Sequence, residues 1–286
     1  VVAAPGEGRR NVVSLKPSDI YEEIARMHRD GVAGVVATVV AVGGSTPRGA
    51  GAKMIVYPDG RTIGTVGGGA IESTVIEKAR GMPDGEPALL SFDLENDTDM
   101  ICGGKMDIFL EPVAPGPLLI VAGGGHVGQA VGRAARSAGF RVTVIDDRAD
   151  VVTQERFPFA DRRLVGGIEL LGDEVVTDGE TFVVVVTRGH RFDRDWVEAF
   201  VDRWPLYLGM IGSATKVART FEEMERNGVP SEALAKVHAP IGLDIGAETP
   251  EEIAVSVVAE MIAVRHGVSD TAMLKDKPEF KGRNRA

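Results

Sequence analysis

Gly123-Gly124-Gly125-His126-Val127-Gly128 fits the pattern G-x-G-x-x-G, and its surroundings suit nucleotide chemistry. The apolar run Leu118–Ala122 ahead of it reads as a buried parallel strand. Small residues typical of a close-packed helix follow, then a second strand, Arg141 to Ile145, that ends in Asp146-Asp147. In such a unit Gly123 permits the tight turn, Gly125 lets a pyrophosphate approach the backbone, and Gly128 lets the helix pack close to the sheet. The helix start, at His126, offers free N–H groups and a positive dipole end to an anion. Asp146 would accept hydrogen bonds from a ribose, and Arg148 nearby leaves a phosphorylated ribose open. The same fold also persists in proteins whose nucleotide site is empty or altered.

Four further groups carry candidate chemistry. Thr187-Arg188-Gly189-His190 follows the apolar strand Thr181–Val186, which places it at the carboxyl edge of a sheet, where open α/β folds bind ligands. There Arg188 can hold a phosphate or carboxylate and His190 can act as base or donor. A plain turn paired with Asp193 or Asp195 has equal standing. Gly209 to Lys216 is a second glycine loop running into a helix. Ser213 and Lys216 are either anion contacts or an ordinary N-cap and a surface lysine. Gly67-Gly68-Gly69 before a helix is another candidate anion cradle, and the turn-rich loop Gly44 to Gly51 carries one charge, Arg48. Cys102, the chain's single cysteine, stands beside Gly103-Gly104 at a turn before a strand. A lone cysteine is most often a buried small hydrophobe. In a glycine turn the sulfur would be accessible, and a cation such as Arg48 or Lys105 would be needed to lower its pKa. Sulfur also suits a soft metal or sulfur transfer. The acidic stretch Asp93, Glu95, Asp97, Asp99 lacks the glycine and closing glutamate of an EF-hand and reads as a solvated loop.

These groups need two scaffolds. The 286 residues are 44% hydrophobic, enough for sizeable cores, and the 36 glycines cluster in short loops between apolar runs, which argues for turns and not disorder. A net charge of −10 weighs against nucleic acid or an anionic membrane as the main partner. One cysteine excludes a disulfide framework and a cysteine-based zinc site. The longest apolar stretch, near Gly34 to Val42, is too short for a bilayer, and no signal peptide is read, so a cytoplasmic protein without a membrane span is expected. An α+β domain is expected over 11–113. It has a helix capped by Ser18 with the stripe Ile20, Ile24 and Met27, a strand from Gly34, a hairpin around Pro58-Asp59-Gly60, a helix from Ala70 to about Arg80, and strands at Leu89–Leu94 and Met106–Glu111. Val113-Ala114-Pro115-Gly116 reads as a linker. A Rossmann-like α/β domain with a parallel sheet is expected over 118–274. It closes on Thr249-Pro250-Glu251-Glu252, a capping box before the stripe Ile253, Val257, Val258, Met261 and Ile262.

The glycine segments together resemble the XdhC/CoxI family, accessory proteins for xanthine dehydrogenase and related molybdenum hydroxylases. The carrying residues are Gly43 to Gly49 with Ala52-Lys53-Met54, Gly64 to Gly69 and Met100 to Gly104, then Gly123 to Gly128, Thr187 to His190, Gly209 to Ser213, Gly242 to Ala247 and Thr249 to Ala254. Where the family often carries further basic residues after Gly212-Ser213, this chain has Ala214-Thr215 before Lys216. The resemblance implies binding of the molybdenum cofactor (molybdopterin), support for its sulfuration, and delivery to the hydroxylase. The implied partners are the hydroxylase and a cysteine desulfurase, with Cys102 at the metal and the glycine loops on the anionic parts. Homodimerisation is the base-rate expectation. Two other readings stay open: an NAD(P)-dependent oxidoreductase using Asp146 and His190, and a scaffold with an inert Rossmann domain. The xanthine dehydrogenase polypeptide itself is disfavoured, because one cysteine cannot supply the thiolates for its iron–sulfur clusters.

Overall fold

The structure, a computed structural model, describes residues 17–82, 86–94, 103–200, 205–269 and 271, with the backbone alone at Pro17, Ser18 and His190. It divides into two compact units between Gly116 and Pro117.

The first unit is built on an antiparallel five-stranded sheet. In chain order its strands are β1 (Gly34–Gly43), β2 (Lys53–Val56), β3 (Thr62–Gly64), β4 (Ala88–Asp93) and β5 (Lys105–Val113), arranged β3-β2-β1-β5-β4. Alternation along β1 sorts side chains to two faces, as a period of two requires. Val35, Ala37 and Val39 join Met54, Val56, Ile108 and Leu110 beneath helix α2 (Gly69–Arg80), which contributes Ile71, Val75 and Ala79. Val36, Ile55 and Tyr57 meet Ile20 and Met27 of helix α1 (Pro17–Asp30) on the other face. Ser18 lies inside the first turn of α1 and not ahead of it, so the expected cap is displaced by the proline that starts the helix. A register shift between Val39 and Ala41 leaves Val40 exposed, and beyond it β1 runs out toward the loop at Gly44.

The second unit is a parallel sheet covered on both faces, the Rossmann-like domain read from the sequence. Strands β6 (Leu118–Ala122), β7 (Arg141–Asp146), β8 (Arg162–Val165), β9 (Phe182–Val185) and β10 (Tyr207–Met210) lie in the order β10-β9-β6-β7-β8. Read from β8, this is the 3-2-1-4-5 order of doubly wound sheets, with its switch point between β6 and β9. Helices α3 (His126–Ser137) and α7 (Pro250–Arg265) cover one face through Val131, Ala135, Val257 and Met261. Helices α4 (His190–Ala199) and α5 (Ala214–Arg226) cover the other with Trp196, Val197, Val217 and Met224. A short helix, α6 (Ser231–Leu234), follows them. Residues 238–241 then run beside the free edge of β10. His238 N–H donates to the Leu208 carbonyl, and Met210 N–H to that of His238. Thr249 accepts from the Glu252 N–H while the Glu252 carboxylate accepts from the Thr249 N–H, which completes the capping box ahead of α7. The buried stripe of α7 includes Ala254 and Ser256 and leaves Ile262 outside, a correction to the expected stripe. The turn 242–243 lies against Ser256 and draws that side of the helix inward. Among the described residues no helix is long and apolar enough to cross a membrane.

Candidate functional site

The glycine loop sits between the end of β6 and the start of α3, and two of its three motif glycines, Gly123 and Gly128, meet steric constraints. Gly123 has φ +120°, and a Cβ there would lie 2.7 Å from the Val186 carbonyl carbon, so only glycine fits. A Cβ on Gly128 would fall onto the Gly123 carbonyl oxygen, which fixes how closely α3 approaches the loop. Gly125 has ordinary φ of −68° and open space where a Cβ would stand. It is the N-cap of α3 and makes no side-chain cap, so no capping side chain takes the first-turn N–H groups, which a helix start can offer to an anion. His126 is exposed at the first position of the helix.

Asp146, 8% exposed, closes β7 beside this loop. Its Oδ2 accepts from the Gly124 N–H and from Arg148 Nη2, both at 2.8 Å, and its Oδ1 from the Arg148 Nε and backbone N–H at 2.8 and 3.1 Å. Burial pushes the Asp146 pKa up, but the Arg148 fork and the Gly124 N–H outweigh it and hold the group at about 2. Four donors fill the acceptor sites of a carboxylate. A ribose reaching Asp146 would therefore take the place of Arg148.

The turn after β9 is held from below. Thr187 Oγ1 donates to Asp193 Oδ1 at 2.6 Å. Asp193, fully buried, is paired with Lys216 Nζ at 2.6 Å. Ser213 caps α5 by accepting from the Lys216 N–H at 3.2 Å. Ser213 and Lys216 thus both have partners inside the protein. Arg188 does not pair with Asp193 or Asp195. It reaches across to Asp147 beyond β7, Nη2 to Oδ2 at 2.6 Å, and lies over the Phe192 ring at 5.4 Å. His190 opens α4, and its side chain lies outside the described residues. A cavity of about 240 Å³ opens between Gly123, Asp146 and Arg188.

In the first unit three glycine segments far apart in sequence converge. Gly44, at φ +71°, packs on Gly103 and Gly104: a Cβ there would lie 3.1 Å from the Gly103 carbonyl oxygen. A Cβ on Gly104 would lie 2.7 Å from the Gly43 carbonyl oxygen. Gly67 lies against Pro47, so the Gly44–Gly51 loop joins the Gly67-Gly68-Gly69 turn at the start of α2. Thr65 donates to Glu72 Oε1 at 2.5 Å and accepts from the Gly67 N–H at 3.3 Å, fixing that turn. Arg48 is exposed on the loop. Cys102, one residue before Gly103, and Glu95, Asp97 and Asp99 lie outside the described residues. Among the described residues no group of three histidine, cysteine or acidic side chains is placed to hold a metal.

Two features escape a reading of the sequence. Arg156 donates to the Gly124 carbonyl at 3.2 Å, and Gln129 returns a bond to the Arg156 carbonyl, so a cation stands at the glycine loop from a segment with no motif. Tyr207 Oη donates to Glu260 Oε2 at 2.5 Å, the Gly242 N–H donates to the same oxygen at 2.9 Å, and His238 Nδ1 lies 3.2 Å from Oε1. Burial raises Glu260 while its bonds from His238, Tyr207 and Gly242 bring it below the ordinary carboxylate range; burial likewise drives the Tyr207 hydroxyl well above its own. This network pins the turn at Gly242 against α7. The signal for it lies in the polar Glu260 within an apolar helix.

Comparison with known proteins agrees with this architecture. Residues 119–261 match the XdhC Rossmann domain and residues 27–93 the XdhC and CoxI family. The chain belongs to the XdhC and CoxI family. It is 32% identical to the uncharacterized protein YqeB of Escherichia coli (strain K12) over 90% of its own length, and it spans 48% of that relative. It is 26% identical to a probable xanthine dehydrogenase subunit of Bacillus subtilis (strain 168), over 82% of this chain and 94% of that one. A crystal structure of a xanthine dehydrogenase from Bacillus halodurans shares the fold, with a TM-score of 0.50 at 20% identity, over 93% of this chain and 99% of the other.

Proposed function

We propose that this protein is an accessory factor of a xanthine dehydrogenase-type molybdenum hydroxylase, which takes up the molybdenum cofactor and supports its sulfuration and insertion. The observation that carries this reading is the convergence of the segments 43–51, 67–69 and 103–104 in the first unit, directly beside Cys102 in the chain. Family membership supports it, as does the description of the Bacillus subtilis relative.

The donor set fits such a ligand. Gly49, Gly51 and Gly68 leave open space where side chains would stand, so a flat anionic group can lie on the backbone. Arg48 and the N–H groups around Gly67-Gly68-Gly69, Gly103 and Gly104 would hold the phosphate and the pterin, and the Cys102 thiol would approach the metal. When bound, the cofactor supplies the metal chemistry that the hydroxylase uses. This chain's residues would bind it and orient it. A cysteine desulfurase, the hydroxylase and a second copy of this chain are the partners this role calls for.

The test is the molybdenum and pterin content of the protein, purified from a host that makes the cofactor, beside Cys102→Ala. Stoichiometric molybdenum in the native protein and its loss in the variant are expected. Absence of both molybdenum and pterin from the native protein overturns the proposal. A second reading, a nicotinamide-dependent oxidoreductase, draws on the glycine loop and the strand order of the second unit. It requires NAD(H) or NADP(H) binding that Asp146→Ala weakens, and no binding at millimolar cofactor removes it.

A further inference from the structure

Helix α7 turns an uncharged face to solvent. Ala254, Val257, Val258 and Met261 join its other side to the core of the second unit. On the outer side Val255 is 59% exposed, Ala259 is half-buried and Ile262 is 39% exposed, and at 3.6 residues per turn these three form one stripe. Between Glu252 and Arg265 the one charged residue is Glu260, and its carboxylate is turned inward to Tyr207, His238 and Gly242. Helix α5 has the ordinary pattern, with Arg219, Glu222, Glu223 and Arg226 all facing solvent. A helix that is apolar on both sides is one that something covers on both sides. The stripe is charged only at its ends, and in opposite senses. Glu251 lies exposed in the first turn and Arg265 in the last, and neither has an ion-pair partner among the described residues. Residues advance about 100° along a helix, which sets Glu251 and Arg265 to the same side of the stripe.

We infer that α7 packs against α7 of a second copy of this chain, antiparallel, about a twofold axis perpendicular to both helices. Such an axis makes the patch meet itself. Val255 of one copy then lies against Ile262 of the other, Ala259 near the axis lets the helices approach, and Glu251 of each copy stands beside Arg265 of the other. A parallel pairing would instead set Glu251 beside Glu251 and Arg265 beside Arg265. The end charges therefore select a second copy as the occupant and fix its direction. The helix, about 24 Å long and about 10 Å wide, supplies roughly 250 Å² per copy. A specific interface needs roughly 1,000 Å² in total, so adjoining surface contributes. Ile245, 56% exposed on the turn that Leu243 ties to Ser256, and Val268, 43% exposed just past α7, are apolar side chains available for it. An interface at this small end dissociates in the micromolar range. The contact stands apart from the cofactor-handling role, and no molybdenum enters its measurement.

Sedimentation velocity of the full chain from about 1 to about 100 μM, at low ionic strength, tests it. A monomer–dimer equilibrium is expected. Val255→Asp and Ile262→Asp each weaken the dimer at least about tenfold, because a twofold axis makes every substitution act twice. Both side chains are exposed, so the core is spared, and a thermal melt of each variant verifies the fold. Leu89→Asp, at an equally exposed apolar position in the first unit, leaves the equilibrium unchanged. Glu251→Arg and Arg265→Glu each weaken the dimer about threefold or more, and Glu251→Arg/Arg265→Glu restores it to within about twofold of the native protein. A chain that stays monomeric at about 100 μM overturns the inference and leaves this face to a different partner. A dimer untouched by folded Val255→Asp and Ile262→Asp, a loss as large in Leu89→Asp, or a double reversal no tighter than the single ones overturns it as well.

Discussion

Asp146→Asn is the most informative perturbation of the second unit. The carboxylate ties the Gly124 N–H to the Arg148 guanidinium, and so joins the glycine loop to the end of β7. In the folded protein it stays ionised down to about pH 2, against an ordinary value of 3.8. That difference corresponds to roughly 2 kcal/mol of stability. The contribution is complete above the unfolded-state value and is lost as pH falls from there toward the folded-state value. Asparagine keeps the shape but has no charge, and its amide nitrogen faces donors. The variant should therefore be less stable than the native protein by about 2 kcal/mol near neutral pH, with the gap closing as the pH falls through about 4 to about 2. Urea titrations of both proteins at several pH values, followed by far-ultraviolet circular dichroism, measure it. The difference between the two curves cancels the other carboxylates. A gap that stays constant with pH, or one below about 0.5 kcal/mol at neutral pH, would refute the coupling of this carboxylate to the loop.

Gly128→Ala drives a Cβ into the Gly123 carbonyl and should cost about 3 kcal/mol or more, whereas Gly125→Ala meets open space and should cost under about 1 kcal/mol in urea unfolding. Equal costs would mean that α3 is not held against the loop. Lys216→Met strands the buried Asp193 and should cost about 3–5 kcal/mol, with much of the loss restored in Lys216→Met/Asp193→Leu. A double variant no more stable than the single one would show that the pair is not the source of the loss.

What the sequence makes legible follows from range. The strand, glycine loop and helix at 118–137 are local: the turn chemistry of Gly123 and the close approach at Gly128 involve partners within a few residues or on the adjoining strand end. Asp146 at the end of the next strand follows from the periodicity of the βαβ unit. Its saturation by Arg148 does not, since two residues' separation says nothing about where a guanidinium folds back. The strand β8 is missed because Arg162-Arg163-Leu164-Val165 is an edge strand with no apolar run, its arginines turned to the Glu174 and Phe157 carbonyls. The Asp193–Lys216 pair spans two helices, and a lysine after a capping serine looks like any surface lysine. In the first unit the three glycine segments are visible one by one, but their meeting depends on β1 and β5 pairing over about sixty residues, with Gly43 opposite Lys105.

The segment 238–241 also bears on how the second unit can be handled. A parallel sheet ends in a row of unpaired N–H and carbonyl groups, which invites another chain to add itself as a further strand. Here that row on β10 is taken up by His238 and Ile241, whose N–H groups donate to the Leu208 and Met210 carbonyls. Gly209 makes the arrangement possible, because any side chain there would displace Ile241. A shortened chain that stopped after α5 would bare the β10 margin and, with α7 gone, the apolar sheet face that Val257 and Met261 cover, and would be expected to self-associate and precipitate. One that runs through α7 keeps the margin sealed, so the boundary for expressing this unit alone lies beyond residue 265.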